Sequence, residues 1–163
     1  MQYFLGFDFS KLSISARTLN SCEITIDGYT FAINTWGNLF YKVYEEMNYL
    51  DAKAQCESDG TYLATPRSDD QNGFIASLIP NLKRYQSIWI GLNDIDEEGT
   101  FVSVDGEEVS YTKWSSGAPH DQFWGDQLDG VQMMLSGNWT DISIKVQEPF
   151  VCTSHIFFDN SSK

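Results

Sequence analysis

The stretch Ile88-Trp89-Ile90-Gly91-Leu92 is a continuous apolar run in a chain of 163 residues. An uninterrupted run rich in β-branched and aromatic residues is typical of a strand that is buried on both faces. Two more segments with strand-forming residues, 131–135 and 149–154, lie towards the C-terminus. We therefore predict that residues 88–92 form the central strand of the core and that the other two segments close the sheet.

Two helices are predicted on the N-terminal side of this strand. Asn48 can cap the first helix, and Gly60 stands where that helix would end. Ser68, with Gln71 three residues later, forms a capping box that predicts the start of the second helix. Pro80 stops that helix.

Hairpins and single strands are predicted around these elements. Residues 24–31 and residues 100–111 each contain an Asp-Gly pair between two runs of strand formers, which is a strong hairpin signal. Residues 39–44 predict one further strand. Residues 115–130 show no period and are rich in Gly, Ser, Asp and Gln, and so long a loop is usually functional. The order of elements indicates an α+β fold in one domain.

The composition limits the classes of partner. A hydrophobic content of 42% and an aromatic content of 15% are enough for a packed core. The formal net charge of −13 repels phosphate backbones and anionic lipids, so we expect no nucleic-acid partner. No apolar run is long enough for a membrane helix, so we expect no membrane insertion. A cation or a neutral ligand suits this surface better.

The acidic residues are concentrated in two places. One group falls within five residues and the other within nine: Asp94, Asp96, Glu97 and Glu98, then Asp121, Asp126 and Asp129. A solvated acidic face is one explanation, and a cation site is the other.

The signals for export are indirect. The first sixteen residues make a poor secretion signal because Asp8 and Lys11 interrupt the apolar stretch and no basic residue precedes it. Asn138-Trp139-Thr140 and Asn160-Ser161-Ser162 fit the acceptor pattern for N-glycosylation, which also occurs by chance. We expect an extracellular or secreted glycoprotein.

Enzymatic activity is not indicated. The sequence has no nucleophile elbow, no phosphate-binding loop and no dinucleotide fingerprint. The three cysteines have no spacing typical of zinc or redox sites, and their odd number leaves one thiol outside a single disulfide.

Several motifs, in the right order, resemble those of the C-type lectin-like domain. Trp89-Ile90-Gly91-Leu92 resembles the family's core strand, and Trp114 followed by Gly117-Ala118-Pro119 resembles the start of its long loop. Asn138-Trp139-Thr140-Asp141 is similar to its Trp-Asn-Asp strand, and Phe150-Val151-Cys152 to its last strand. The resemblance covers roughly residues 36–153.

The resemblance implies a fold and domain limits. The expected architecture is the C-type lectin-like fold, an α+β fold with two helices, two small antiparallel sheets and a long loop. We expect this domain over residues 37–155, with an N-terminal strand or hairpin extension over 1–36 and a C-terminal tail over 156–163.

The resemblance also implies a disulfide. A cysteine on the family's first helix pairs with one on its last strand, and Cys56 and Cys152 hold those positions here. Two unpaired buried thiols are the alternative. The family's second bridge is absent, since Gly130 holds one of its positions. Cys22 is then free or bonds another chain, so Cys22 or the N-terminal segment offers a route to homo-oligomers.

The two calcium sites of the family are not equally well preserved in this sequence. The site that bridges calcium to sugar is doubtful, because Ala118, His120 and Leu128 stand where ligands are expected and only Asp141 is a clear ligand. If the loop register is shifted, Asp126 takes the place of Leu128. The accessory site keeps an oxygen ligand at every position: Asp94, Glu98, Asp121 and Asp129. We expect calcium there, because unpaired carboxylates held together repel one another. An acidic loop without metal is the alternative.

The long loop is the expected ligand site. Trp124 could stack on a sugar, with His120, Asp126 and Asp141 nearby as hydrogen-bonding groups. Alternatively, Phe123 and Trp124 pack beneath the loop. The sequence thus predicts a non-enzymatic recognition module that binds a glycan, or a protein-interaction or structural module without sugar binding.

Overall fold

The computed structural model describes residues 13–18, 21–26, 29–33, 39–79, 86–120 and 128–155 of the chain. The chain divides into two compact units, residues 1–42 with 153–163 and residues 43–152. The predicted domain limits remain a prediction.

The described elements are two helices and ten strands. In chain order they are β1 Ser13–Thr18, β2 Ser21–Ile26, β3 Tyr29–Ile33, β4 Leu39–Met47, α1 Tyr49–Ser58, β5 Tyr62–Leu63, α2 Asp69–Leu78, β6 Ser87–Asn93, β7 Val102–Ser103, β8 Gly130–Met134, β9 Trp139–Ile142 and β10 Glu148–His155. Neither helix, within the described residues, has the length and apolar character to cross a membrane.

The first unit contains an antiparallel meander. Strand β2 pairs with β3 from Cys22↔Ile33 to Ile26↔Tyr29, which confirms the predicted hairpin. Strand β3 pairs with the first residues of β4, and β1 adds a strand that the sequence pattern did not predict.

The second unit contains a mixed sheet in the order β10-β6-β8-β9, with β5 on β10 and β7 on β6. The pairings of β6 with β8 and of β8 with β9 are antiparallel. The pairing of β10 with β6 is parallel at Phe150↔Trp89. With two helices beside this sheet, the fold class is α+β, as predicted. The expectation of purely antiparallel sheets was wrong, because β10 lies parallel to β6.

Local side-chain bonds fix the helix starts. The Asn48 side chain accepts a hydrogen bond from the Asp51 N–H, and the Ser68 side chain accepts one from the Gln71 N–H over 3.2 Å. These bonds satisfy N–H groups that have no partner inside the helix, so both predicted caps are confirmed. At the end of α1, Gly60 takes a φ of 70°, a conformation that glycine adopts without steric cost.

The core of the second unit surrounds a disulfide between Cys56 on α1 and Cys152 on β10, whose Cα atoms are 5.4 Å apart. Around it, Tyr49 and Trp89 meet edge to face with ring centroids 5.3 Å apart. Phe150 is also buried there. Trp89 is fully buried, as the apolar run predicted, and its indole N–H donates to the Met47 carbonyl over 2.9 Å. Helix α1, β6 and β10 are thus fixed against one another.

The second predicted hairpin is only half correct. A turn forms around Gly106, but residues 107–110 are not a strand, and β7 pairs with β6 instead. The Arg67 guanidinium explains the difference, since it donates to the Glu108 carbonyl and to both carboxylate oxygens of Asp105. A side chain from a distant part of the chain therefore holds the segment that strand pairing was expected to hold.

Candidate functional site

The predicted acidic site lies at the end of β6. Asp94 follows this strand directly and is only 2% exposed. Its Oδ2 atom accepts a hydrogen bond from the Gly99 N–H over 2.9 Å, which closes the turn after the strand. The Asn93 amide donates to the Tyr49 hydroxyl over 3.3 Å. The end of β6 is therefore fixed to the helix side of the core.

The C-terminal end of the long loop lies beside Asp94. Asn93 and Gly130 are paired in the ladder of β6 and β8, so their neighbours Asp94 and Asp129 lie side by side. The Asp94 N–H donates to the Asp129 carbonyl over 3.2 Å. Two acids that are 35 positions apart in the sequence are thus brought together.

The other two predicted metal ligands, Glu98 and Asp121, are not part of this pair. Glu98 lies in the turn after β6 and is exposed, and Asp121 lies outside the described residues. Among the residues that the structure describes, no three His, Cys, Asp or Glu side chains are grouped closely enough to hold a metal ion. The described part therefore contains a pair of adjacent acids, Asp94 and Asp129, rather than a complete metal shell.

The near end of the long loop is fastened to β9. The backbone N–H of Trp139 donates to the Lys113 carbonyl, and the backbone carbonyl of Trp139 accepts from the Ser115 N–H, each over 2.8 Å. Trp139 also forms a parallel bridge with Trp114. The rings of Trp114 and Trp139 meet edge to face with centroids 5.9 Å apart. The loop thus starts from a rigid aromatic base. The peptide bond between Ala118 and Pro119 is cis.

A polar cluster flanks this base. The Tyr111 hydroxyl and the Lys113 ammonium both donate to Asp69 Oδ1, over 2.9 and 2.6 Å. Hydrogen bonds from Lys113 and Tyr111 lower the pKa of the exposed Asp69 carboxyl. Burial first and Asp69 second raise the pKa of Tyr111 to about 12, so the phenol stays protonated at neutral pH and remains a donor.

His120 and Asp141 form the most specific contact near the loop. The His120 N–H donates to Asp141 Oδ2 over 2.7 Å, and the ring atom Nδ1 lies 2.8 Å from Oδ1. The Asp141 side chain is completely buried, whereas the His120 side chain is 37% exposed. Of the predicted ligand-binding residues, these two are in contact, and Trp124 and Asp126 lie outside the described residues.

The sequence analysis missed a buried residue that supports β9. Asn72 on α2 accepts a hydrogen bond from the Trp139 indole N–H over 2.7 Å and donates to the Gly137 carbonyl over 2.9 Å. Asn72 is 1% exposed. No local signal points to it, because both partners are more than sixty positions away along the chain.

The comparisons with known proteins agree on one family. The family whose sequence model matches is described as the lectin C-type domain, over residues 45–154. Collectin-10 of Gallus gallus is 35% identical over 144 residues, covering 87% of this chain and 51% of the relative. Lectin BRA-3 of Megabalanus rosa is 33% identical over 147 residues, covering 79% of this chain and 87% of that protein. This chain thus spans about half the length of the collectin.

A solved structure supports the same fold. The cow C-type carbohydrate-recognition domain of CD23, determined in the presence of GlcNAc2Man3 oligosaccharide, has a TM-score of 0.69 at 24% sequence identity. The match covers 84% of this chain and 100% of that chain. At this level of identity the similarity supports the fold alone, and the predicted C-type lectin-like fold is confirmed.

Proposed function

Because the chain belongs to the lectin C-type domain family, we propose that it is a lectin that binds a glycan at the long loop between Trp114 and Asp129. The family consists of binding proteins rather than enzymes, so the chain is a non-enzymatic recognition module. A relative that is 33% identical is itself named a lectin.

The observation that carries the proposal is that both ends of the long loop are fastened to the sheet. Asp129 is bonded to Asp94 at the end of β6, and His120 is bonded to Asp141 on β9. Binding residues are often found on loops that a rigid scaffold positions. Recognition costs less entropy when the scaffold has already fixed the loop ends.

The proposed ligand contacts combine stacking with hydrogen bonds. Trp124 would pack against the apolar face of a sugar, as an aromatic ring with a polar edge is suited to do. The partly exposed ring of His120 and the carboxylate of Asp126 would bind hydroxyl groups. Asp141 is completely buried under His120 and would act through that residue.

A calcium ion is proposed at the acidic end of the loop. The residues that would hold it are Asp94, Glu98, Asp121 and Asp129. The fit rests on the donor set, because carboxylate oxygens are the ligands that calcium prefers and Asp94 and Asp129 are adjacent. When bound, the ion would neutralise these acids and stiffen the loop.

A glycan array tests the proposal. The full chain should bind a defined set of glycans in calcium, and Trp124→Ala should lose that binding. Tyr62→Ala removes an aromatic that is 46% exposed on β5, away from the loop in sequence, and should bind as the parent does. Equal binding by Trp124→Ala would contradict the assigned contact. Repeating the array with a chelator measures the contribution of calcium.

A second candidate is a protein-interaction or structural module. The observation in its favour is that the carboxylate of Asp141, the one clear ligand left from the sugar-bridging site, is engaged by His120. A blank array, together with a stable multimer that depends on Cys22 or the N-terminal segment, would favour this function.

Export from the cell is part of the proposal. The Cys56–Cys152 disulfide is of a kind that persists in oxidising compartments. Asn138 lies partly exposed in the turn between β8 and β9, where a glycan could be attached. Expression in secreting cells, followed by glycosidase treatment of the parent and of Asn138→Gln, would show whether this site is used.

A further inference from the structure

Both carboxylate oxygens of Asp141 are in contact with one residue, His120. Oδ2 accepts from the His120 backbone N–H and Oδ1 contacts the His120 ring, with separations of 2.7 and 2.8 Å. The side chain has no exposed surface. Hydrogen bonds to a carboxylate are among the stronger ones in proteins, and burial from water strengthens them further.

The sugar-bridging cation implied by the family does not fit this arrangement. Calcium takes six to eight oxygen ligands. Ala118 and Leu128 supply no side-chain oxygen, and the Thr140 hydroxyl lies 3.5 Å from the His120 ring nitrogen. A cation at Asp141 would also compete with both hydrogen bonds from His120. The structure therefore disagrees with a metal at this position.

We propose that His120 takes the place of that cation, fastening the loop to β9 through Asp141 and offering its ring Nε2 atom to a ligand hydroxyl group. The first part stands on the geometry alone. The second part rests on the proposed glycan function, and it deepens that function by making this contact independent of a bridging metal.

The chemistry of the pair defines what the ring can offer. An ionised carboxylate has no hydrogen to donate, so the hydrogen of the contact must be on Nδ1. The other nitrogen, Nε2, is then left for a ligand, as an acceptor on the neutral ring or as a donor on the charged ring. Nδ1 faces the buried carboxylate, and the His120 side chain as a whole is 37% exposed. Nε2 can therefore accept a hydrogen bond from a sugar hydroxyl or donate one to it, and Asp141 is the positioning residue.

The claim that no cation binds at Asp141 is tested by calorimetric titration of calcium into the full chain. Asp94→Asn should remove all binding of calcium, because the only site expected is the one at the end of β6. Asp129→Asn serves the same purpose if Asp94→Asn does not fold. Residual calcium in Asp94→Asn that disappears in the double variant with Asp141→Asn would overturn the proposal. A parent chain that binds no calcium contradicts the proposed accessory site but supports a metal-free Asp141.

The ligand part is tested with His120→Asn and His120→Ala on the glycan that the parent binds most strongly. An Asn amide can donate from nearly the position of Nδ1 but has no counterpart of Nε2. His120→Asn should keep the slow hydrogen exchange of the residue 120 amide and bind about tenfold more weakly. His120→Ala keeps the backbone N–H but loses the ring contact with Asp141 Oδ1, so its amide should exchange faster than in His120→Asn and its glycan binding should also be weaker than the parent's.

The outcomes of the two tests are distinguishable. Binding by His120→Asn within about twofold of the parent overturns the Nε2 contact and leaves His120 as a fastening residue only. A parent chain that binds no glycan overturns the proposed function and the Nε2 contact together. In that case the calcium titration still decides whether the His120–Asp141 pair excludes a cation.

Discussion

The backbone N–H of Asp94 donates to the backbone carbonyl of Asp129 over 3.2 Å, which joins the end of β6 to the residue that precedes β8. This bond places two carboxylate side chains at the same end of the sheet, one of them almost completely buried. Side chains of like charge that are held this way favour a bound cation.

We therefore expect calcium to raise the melting temperature of the chain. An ion at a hundredfold excess over its Kd stabilises the folded state by about 2.7 kcal/mol, which corresponds to roughly 5–10 °C for a chain of this size. Asp94→Asn should abolish the increase. Asp96→Asn, which removes an exposed acid outside the proposed ligand set, should retain it. A melting temperature that ignores calcium in the parent chain would contradict the site.

The sequence predicted those parts of the fold that depend on local interactions. The caps at Asn48 and Ser68 need only residues three positions away, and the hairpin of β2 and β3 needs only its own turn. The apolar run of β6 was enough to predict that this strand is buried, without knowledge of the strands that pair with it. Such features are encoded over a few residues, so a pattern is enough to find them.

Contacts between distant residues could not be predicted in the same way. The turn at Gly106 was recognised, but Arg67 holds the following segment from nearly forty positions away. The parallel pairing of β10 with β6 and the bond of His120 to Asp141 are also long-range. The resemblance predicted Asp141 as a site residue, and only the structure revealed that His120 is its partner.

The ion pair between Arg67 and Asp105 should make stability depend on pH. Burial alone would raise the pKa of Asp105, but hydrogen bonds from Arg67, Ser103 and the Glu107 N–H outweigh it and lower the pKa below its ordinary value of 3.8. A lowered pKa in the folded state means that the stabilisation is complete above the unfolded pKa. It is lost as the pH falls through the folded pKa.

The free energy of unfolding of Asp105→Asn should accordingly fall less than that of the parent as the pH is lowered from about 5 through the folded pKa of Asp105. Arg67→Ala should cost about 1–3 kcal/mol at neutral pH, since it leaves Asp105 without its charged partner. Lys53→Ala is the matched control, because it breaks an exposed pair with Glu57 on α1 and should change stability by a few tenths of a kcal/mol. Urea unfolding across this pH range measures all four proteins.

Asn72 should contribute strongly to stability although it lies outside the proposed ligand site. Asn72→Ala removes the partners of the Trp139 indole N–H and the Gly137 carbonyl at a buried position. Each of these two buried groups costs about 1–3 kcal/mol when it is left without a partner, so we expect a loss of about 2–6 kcal/mol. Ser77→Ala on the same helix removes only an exposed bond to the Phe74 carbonyl and should be nearly neutral. A loss below about 1 kcal/mol for Asn72→Ala would show that water replaces the amide.

Two glycines should respond in opposite directions to the same substitution. A Cβ atom at Gly91 on β6 would lie 2.4 Å from the Leu63 carbonyl oxygen and 2.5 Å from Thr65 Oγ1, so Gly91→Ala must push β5 and β6 apart. Because the Leu63 oxygen belongs to the backbone, we expect the loss of at least about 3 kcal/mol, or failure to fold.

A Cβ atom at Gly73 would meet nothing within 4 Å, and this glycine lies in the middle of α2 with an ordinary helical backbone. Gly73→Ala should therefore stabilise the chain by about 0.5–1 kcal/mol, because alanine loses less conformational freedom in a helix than glycine. Thermal unfolding of both variants under one buffer gives the comparison. A melting temperature of Gly91→Ala within a degree or two of the parent's would contradict the prediction. It would mean that the close approach of β5 to β6 is not rigid, so that the core strand accepts a methyl group beside Leu63 and Thr65.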